Sequence, residues 1–114
     1  MPILELESKF RSALRAAAHP LRPVVQIGEK GLSDAVLQEI DRALTAHGLI
    51  KVRAGGEDRA VRESLQTAIC EALGCAPVHH LGKVLVLYRP TAADPQGLTL
   101  LGGRAAGSAG ALGV

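Results

Sequence analysis

Val24-Val25-Gln26-Ile27-Gly28-Glu29-Lys30-Gly31-Leu32-Ser33-Asp34 reads as a strand, a glycine-bracketed loop and the opening of a helix. The first four residues are apolar and β-branched apart from Gln26, which suits a pleated surface. Glycine lets the loop take positive φ and brings backbone close to a partner with no Cβ in the way. Ser33 is a good N-cap, and Asp34 in the first turn faces the positive end of the helix dipole. The unpaired N–H groups of that first turn, with Lys30 at the loop tip, make a cradle for a phosphate or a phosphodiester backbone. The alternative is a tight strand-to-helix turn whose glycines serve geometry alone, so the neighbouring segments have to decide.

Outward from this stretch the elements alternate. An amphipathic helix is expected over Leu6–Ala18, with Leu6, Phe10, Ala13, Leu14 and Ala17 on one face, stopped by Pro20 and Pro23. After the loop, a helix burying Val36, Leu37, Ile40 and Leu44 ends at Gly48. Leu49–Arg53 is a second strand and Ala54-Gly55-Gly56 a break. A third helix from about Asp58 carries Val61, Leu65, Ile69 and Leu73 and stops at Gly74. Pro77 confines the next strand's start to an edge or a first position. Val78–Leu81 and Val84–Arg89 then form a hairpin around Gly82-Lys83. Val84–Tyr88 is apolar on both faces and so belongs in the middle of the sheet. The order α-β-α-β-α-β-β implies a single α/β domain with a mixed four-stranded sheet over residues 1–90. Residues 91–114 are dense in Ala and Gly without usable periodicity, and are expected to form a flexible tail.

Composition narrows the function. A chain of 114 residues, 47% hydrophobic and 21% charged, has room for one real core. Phe10 and Tyr88 are its only aromatics, which argues against base stacking on an aromatic platform. The net charge of +2 permits nucleic-acid binding without demanding it. Cys70 and Cys75 are expected as reduced thiols packed as small apolar groups. His19, His47, His79 and His80 lack metal-site spacing, and the imidazoles of His19 and His47 are expected to cap helix carbonyls. No nucleophile elbow, Walker motif or Rossmann fingerprint is present, so nothing nominates an active site. No secretory leader is seen at Met1-Pro2-Ile3-Leu4-Glu5 and no run is long enough to span a bilayer, so the chain reads as cytoplasmic. Arg22, Lys51, Arg53 and Arg89 supply further cations. If the first two strands are parallel, Arg22 lies near one end of the sheet and Lys30 near the other, so these residues do not form one compact pocket.

Several segments occur together in one order: Leu14-Arg15-Ala16, Ala18-His19, Leu21, Pro23-Val24-Val25, Gly28-Glu29-Lys30-Gly31-Leu32, His47-Gly48-Leu49-Ile50-Lys51-Val52, Asp58-Arg59 and Gly82–Pro90. Over about residues 6–90 the chain resembles the CRM domain (chloroplast RNA splicing and ribosome maturation), in its bacterial stand-alone YhbY-like form. That resemblance implies a fold like the C-terminal domain of bacterial translation initiation factor three. It implies RNA binding, with Gly28, Glu29, Lys30 and Gly31 as the family's GxxG loop, in the context of large-subunit ribosome assembly. Three departures accompany it: Gly48 stands where an acid is familiar in the second-strand motif, Glu29 puts an anion in the loop, and the tail is weakly basic. The resulting expectation is a non-enzymatic, cofactor-free monomer that binds ribosomal RNA through the loop, with Arg22, Lys51, Arg53 and Arg89 as secondary contacts. The rival expectation is a protein-interaction module that docks on ribosomal proteins of the precursor particle without touching RNA.

Overall fold

The structure, a computed structural model, describes residues 3–28, 31–54, 58–97 and 100. Its elements are α1 (Ser8–Ala18), β1 (Pro23–Ile27), α2 (Asp34–His47), β2 (Leu49–Ala54), α3 (Arg59–Leu73), β3 (Ala76–Leu81) and β4 (Val84–Tyr88). The sheet order is β1-β2-β4-β3. β1 runs parallel to β2, while β4 is antiparallel to both β2 and β3. The apolar strand Val84–Tyr88 is therefore central, and Pro77 sits on the edge strand β3, where its missing N–H costs no ladder bond in a central position.

The helix boundaries follow from caps. Ser33 Oγ accepts from Val36 N–H at 3.2 Å and Asp58 Oδ1 accepts from Val61 N–H at 2.9 Å. Gly74 closes α3 in the left-handed conformation (φ 66°, ψ 38°). Gly48 closes α2 at φ 77°, and a side chain there would crowd Arg89 O and Thr91 at 3.3 Å. This approach gives a packing reason for the glycine that stands in place of the expected acid.

Two crossovers, β1-α2-β2 and β2-α3-β3, lay α2 and α3 on one face of the sheet. Ile40, Leu44, Ile69 and Cys70 pack there against Val25, Ile27, Ile50, Val52, Leu85 and Leu87. On the other face α1 alone supplies Leu14 and Ala18 against Leu49, Val78, Val86 and Tyr88. One helix cannot cover four strands, so part of this second face stays open.

The packed structure runs past Pro90, where the sequence suggests the domain ends. Gly97 is buried, and a Cβ there would stand 2.7 Å from the Phe10 ring and 2.9 Å from the Tyr88 hydroxyl. Leu100 joins the α1-side core. Periodicity analysis misses this because the close approach depends on a glycine and not on an apolar stripe. The remainder of the expected tail, residues 101–114, lies outside the described residues.

Candidate nucleic-acid interface

Because β1 and β2 are parallel and Ile27 pairs with Ala54, both strands end at the same edge of the sheet. Gly28 leaves there, and the N-termini of α2 and α3 start from the same side. Gly31 N–H donates to Gly28 O at 3.0 Å, closing the loop as a turn. Gly31 takes φ 74°, and a Cβ at either Gly28 or Gly31 meets nothing within 4 Å. The glycines are thus not filling a tight internal gap. Space beside their backbones is open, as a cradle for an external group requires. Glu29 and Lys30, expected at the loop tip, lie outside the described residues.

The β3–β4 hairpin closes on the same edge, with Ala54 N–H donating to Lys83 O at 2.7 Å. Lys83 is exposed beside this end, and Gly82 takes the positive φ (58°) that its turn position needs. Arg53 pairs in register with Gln26 on β1 and Val84 on β4, and Val84 pairs with Leu81 on β3. Gln26, Arg53, Val84 and Leu81 consequently form one row across all four strands on the α1 side. Gln26 and Arg53 are exposed, Val84 is half-buried and Leu81 is 68% exposed. α1 stops short of this row.

The expected cations separate into two kinds. Arg53 joins the glycine loop on the open side. Arg22 is exposed near the start of β1, toward the opposite end, bordering a groove of about 530 Å³ with Leu21, Val24 and His47. Lys51 is half-buried, and its Nζ donates to His19 O at 3.2 Å and Leu21 O at 2.9 Å. It holds the carbonyls at the end of α1, the task the sequence suggests for an imidazole, and has one ammonium donor left over. Arg89 is further committed. Its Nη1 meets Asp41 Oδ1 at 2.8 Å and Leu73 O at 3.0 Å, and its Nη2 meets Asp41 O and Thr45 Oγ1. It lies toward α2 and α3 and clamps them to the end of β4.

The histidines divide across β3. His79, opposite Val86, faces the α1 side, whereas His80, opposite Leu85, takes the Arg62 Nε–H at 3.1 Å on the other. Burial, then the charges of Arg15, His80 and Arg59, lower the His79 pKa. Gln66, buried in α3, donates to His79 O at 2.9 Å and Val86 O at 3.2 Å beside the irregularity in β3. Phe10 and Tyr88 stack edge-to-face with centroids 5.5 Å apart inside the α1-side core. Neither aromatic reaches the open row. Cys70 and Cys75 are buried free thiols with sulfurs 3.6 Å apart, and the hydrogen bond between them, then burial, drives the Cys70 pKa strongly up. Among the described residues, no group of three or more His, Cys, Asp or Glu side chains could hold a metal ion, and no helix is long and apolar enough to cross a membrane.

Lys83, Gln26 and Leu81 are the site candidates sequence reasoning overlooks. Lys83 shows its signal in the hairpin turn itself, which puts a cation at the strand-end edge. Gln26 and Leu81 gain significance only through register.

A family model for the CRS1 / YhbY (CRM) domain matches residues 6–89. The chain belongs to the CRM domain family. Among its relatives, a Haemophilus influenzae protein named as an RNA-binding protein is 43% identical over 86 residues, covering 75% of this chain and 87% of that one. A Bacillus subtilis relative, named as a candidate RNA-binding protein, is 30% identical over 91 residues, 80% of this chain and 95% of the other. The solution structure of a Staphylococcus aureus protein, described as a candidate RNA binder, superposes with a TM-score of 0.69 at 30% identity, covering 75% of this chain and 88% of that one. A single small CRM-type α/β domain, three helices on a mixed four-stranded sheet, is the shared fold.

Proposed function

We propose that this CRM domain binds structured ribosomal RNA and acts, without catalysis or cofactor, in assembly of the large ribosomal subunit in the cytoplasm. The observation that carries the reading is the edge where the Gly28–Gly31 turn, two helix N-termini, Arg53 and Lys83 converge with open space around the glycines. Backbone N–H groups at the loop and the start of α2 take a phosphate, with Lys30 screening its charge. Arg53 and Lys83 continue the contact across the open row, while Arg22 reaches a more distant part of the same RNA. Lys51 and Arg89 support the interface by holding the fold. The RNA-binding names of the relatives support RNA as the partner, and the ribosomal context rests on the family resemblance. With both aromatics in the core, recognition depends on backbone and shape more than on stacking.

Salt dependence of affinity for precursor large-subunit RNA tests the reading. Phosphate contacts release counterions, so affinity is expected to fall steeply as salt rises. Binding to precursor particles that is insensitive to salt, with no affinity for the naked RNA, would instead favour docking on ribosomal proteins.

A further inference from the structure

Beside the open row, His19, Lys51, His79, Leu81, Val84 and Val86 line a small pocket of about 170 Å³. Its floor is aliphatic: Val86 is buried in the sheet and Val84 half-buried. His19, His79 and Lys51 complete its lining, and no lining residue is acidic. Arg53 stands next to Val84 in register, and Arg15 is close enough to act electrostatically on His79. The surroundings therefore favour a polyanion, while the cavity is too small for a drug-sized ligand and suits one flat heterocycle. Leu81, 68% exposed among these polar groups, offers an apolar edge with no partner in the core.

We propose that this pocket takes a single unstacked nucleobase of the bound RNA, with the flanking phosphate on Arg53. The inference rests on the reading that the protein binds RNA and adds a base-recognition site distinct from the glycine loop. Val84, Val86 and Leu81 pack the faces of the ring. His79, whose lowered pKa keeps its imidazole neutral at neutral pH, offers one donor and one acceptor to the base edge, and the spare Lys51 donor adds another. An unpaired loop or bulge nucleotide satisfies this geometry, whereas a base inside a continuous duplex does not. The pocket thus selects RNA with splayed-out bases without requiring an aromatic platform.

The test compares three probes: a stem-loop RNA with all four bases in its loop, the same RNA with abasic loop nucleotides, and a blunt duplex of the stem. The native chain is expected to bind the intact stem-loop about tenfold more tightly than either of the others, the scale of one buried base. Val84→Phe, which fills the cavity, should remove that preference while leaving the salt slope unchanged. Independently of any variant, the methyl resonances of Val84 and Val86 and the His79 ring resonances should move with the intact stem-loop and stay fixed with the abasic one. Equal binding of all three probes, or pocket resonances blind to the loop bases, overturns the base pocket while leaving RNA binding standing. Failure of all three to bind overturns the RNA reading itself and the pocket with it.

Discussion

At the edge where β1 and β2 finish, Arg53 and Lys83 extend into solvent, and neither side chain has a hydrogen bond or ion pair among the described residues. At the opposite edge, Arg89 is held by four hydrogen bonds with only 18% of its side chain exposed. In the sequence these are interchangeable basic residues flanking strands. Structurally one set is available to a ligand and the other is a fastening. The difference arises from topology: the crossovers send both helix N-termini, with their unpaired N–H groups, to the first edge, and both C-termini, with unpaired carbonyls, to the second. Carbonyls recruit cations from within the chain, as Leu73 O recruits Arg89. Amide N–H groups do not compete for cations, which leaves that edge open to an external anion.

The largest effect expected from this contrast is at the first edge. Replacing Gly28→Asp together with Gly31→Asp should abolish RNA binding, because two carboxylates repel the phosphodiester. Neither position clashes with its surroundings, and only Gly31, at φ 74°, carries a conformational penalty, about 1 kcal/mol. The variant should stay folded by circular dichroism. Wild-type RNA affinity in the folded double variant would reduce the loop to a turn.

Arg89→Ala should do the reverse, lowering stability by about 2 kcal/mol, chiefly by leaving the part-buried Leu73 O without its donor and by losing the links to Asp41 and Thr45. For a domain of this size that is a fall of roughly 10 °C in Tm. Arg89→Lys should recover little, since a point charge cannot reproduce the planar fork. RNA affinity measured well below the transition should be unaffected, and a selective loss of affinity without loss of Tm would reassign Arg89 to the interface.

The order of elements, the Ser33 cap, the start of α3 at about Asp58 and the central place of β4 were legible because each has a local signature: a capping oxygen, a periodic stripe, a doubly apolar strand. The roles of Lys51 and Arg89 were not, since their partners lie 30 or more positions away for Lys51 and up to 48 away for Arg89. Gly97 and Leu100, which pack on the α1-side core, lie beyond the domain end expected at residue 90. Truncation after Pro90 removes Gly97 and Leu100 from the α1-side core, and the shortened chain is expected to melt measurably lower than the full one.

Lys51 and Arg53 sharpen the comparison within a single strand, since both project to the α1 side two residues apart. Lys51→Met keeps the aliphatic stem but frees the carbonyls of His19 and Leu21, at an expected cost of about 1 kcal/mol. Arg53→Met should leave denaturant unfolding unchanged and reduce the salt slope of RNA binding by about one unit. The opposite assignment, with Lys51 governing the slope and Arg53 the stability, would break the division between fastening and binding cations on this face.

The smallest effect is a pH dependence confined to the open side. Burial and neighbouring cations lower the His79 pKa from its ordinary value near 6.5, so the folded protein resists a proton that the unfolded chain accepts. Between 6.5 and the lower folded value, the unfolded state binds more protons, and stability must fall as the pH falls through that window. His79→Gln should flatten the decline without altering stability at neutral pH. Bound RNA should act in the same sense, because a base edge that uses the acceptor nitrogen of the neutral ring disfavours the imidazolium and lowers the pKa further. Affinity should therefore fall modestly as the pH drops, and the imidazole titration followed by NMR should move downward when RNA is added. An imidazole that titrates identically with and without RNA would separate His79 from the interface and leave its depressed pKa as a property of the fold alone.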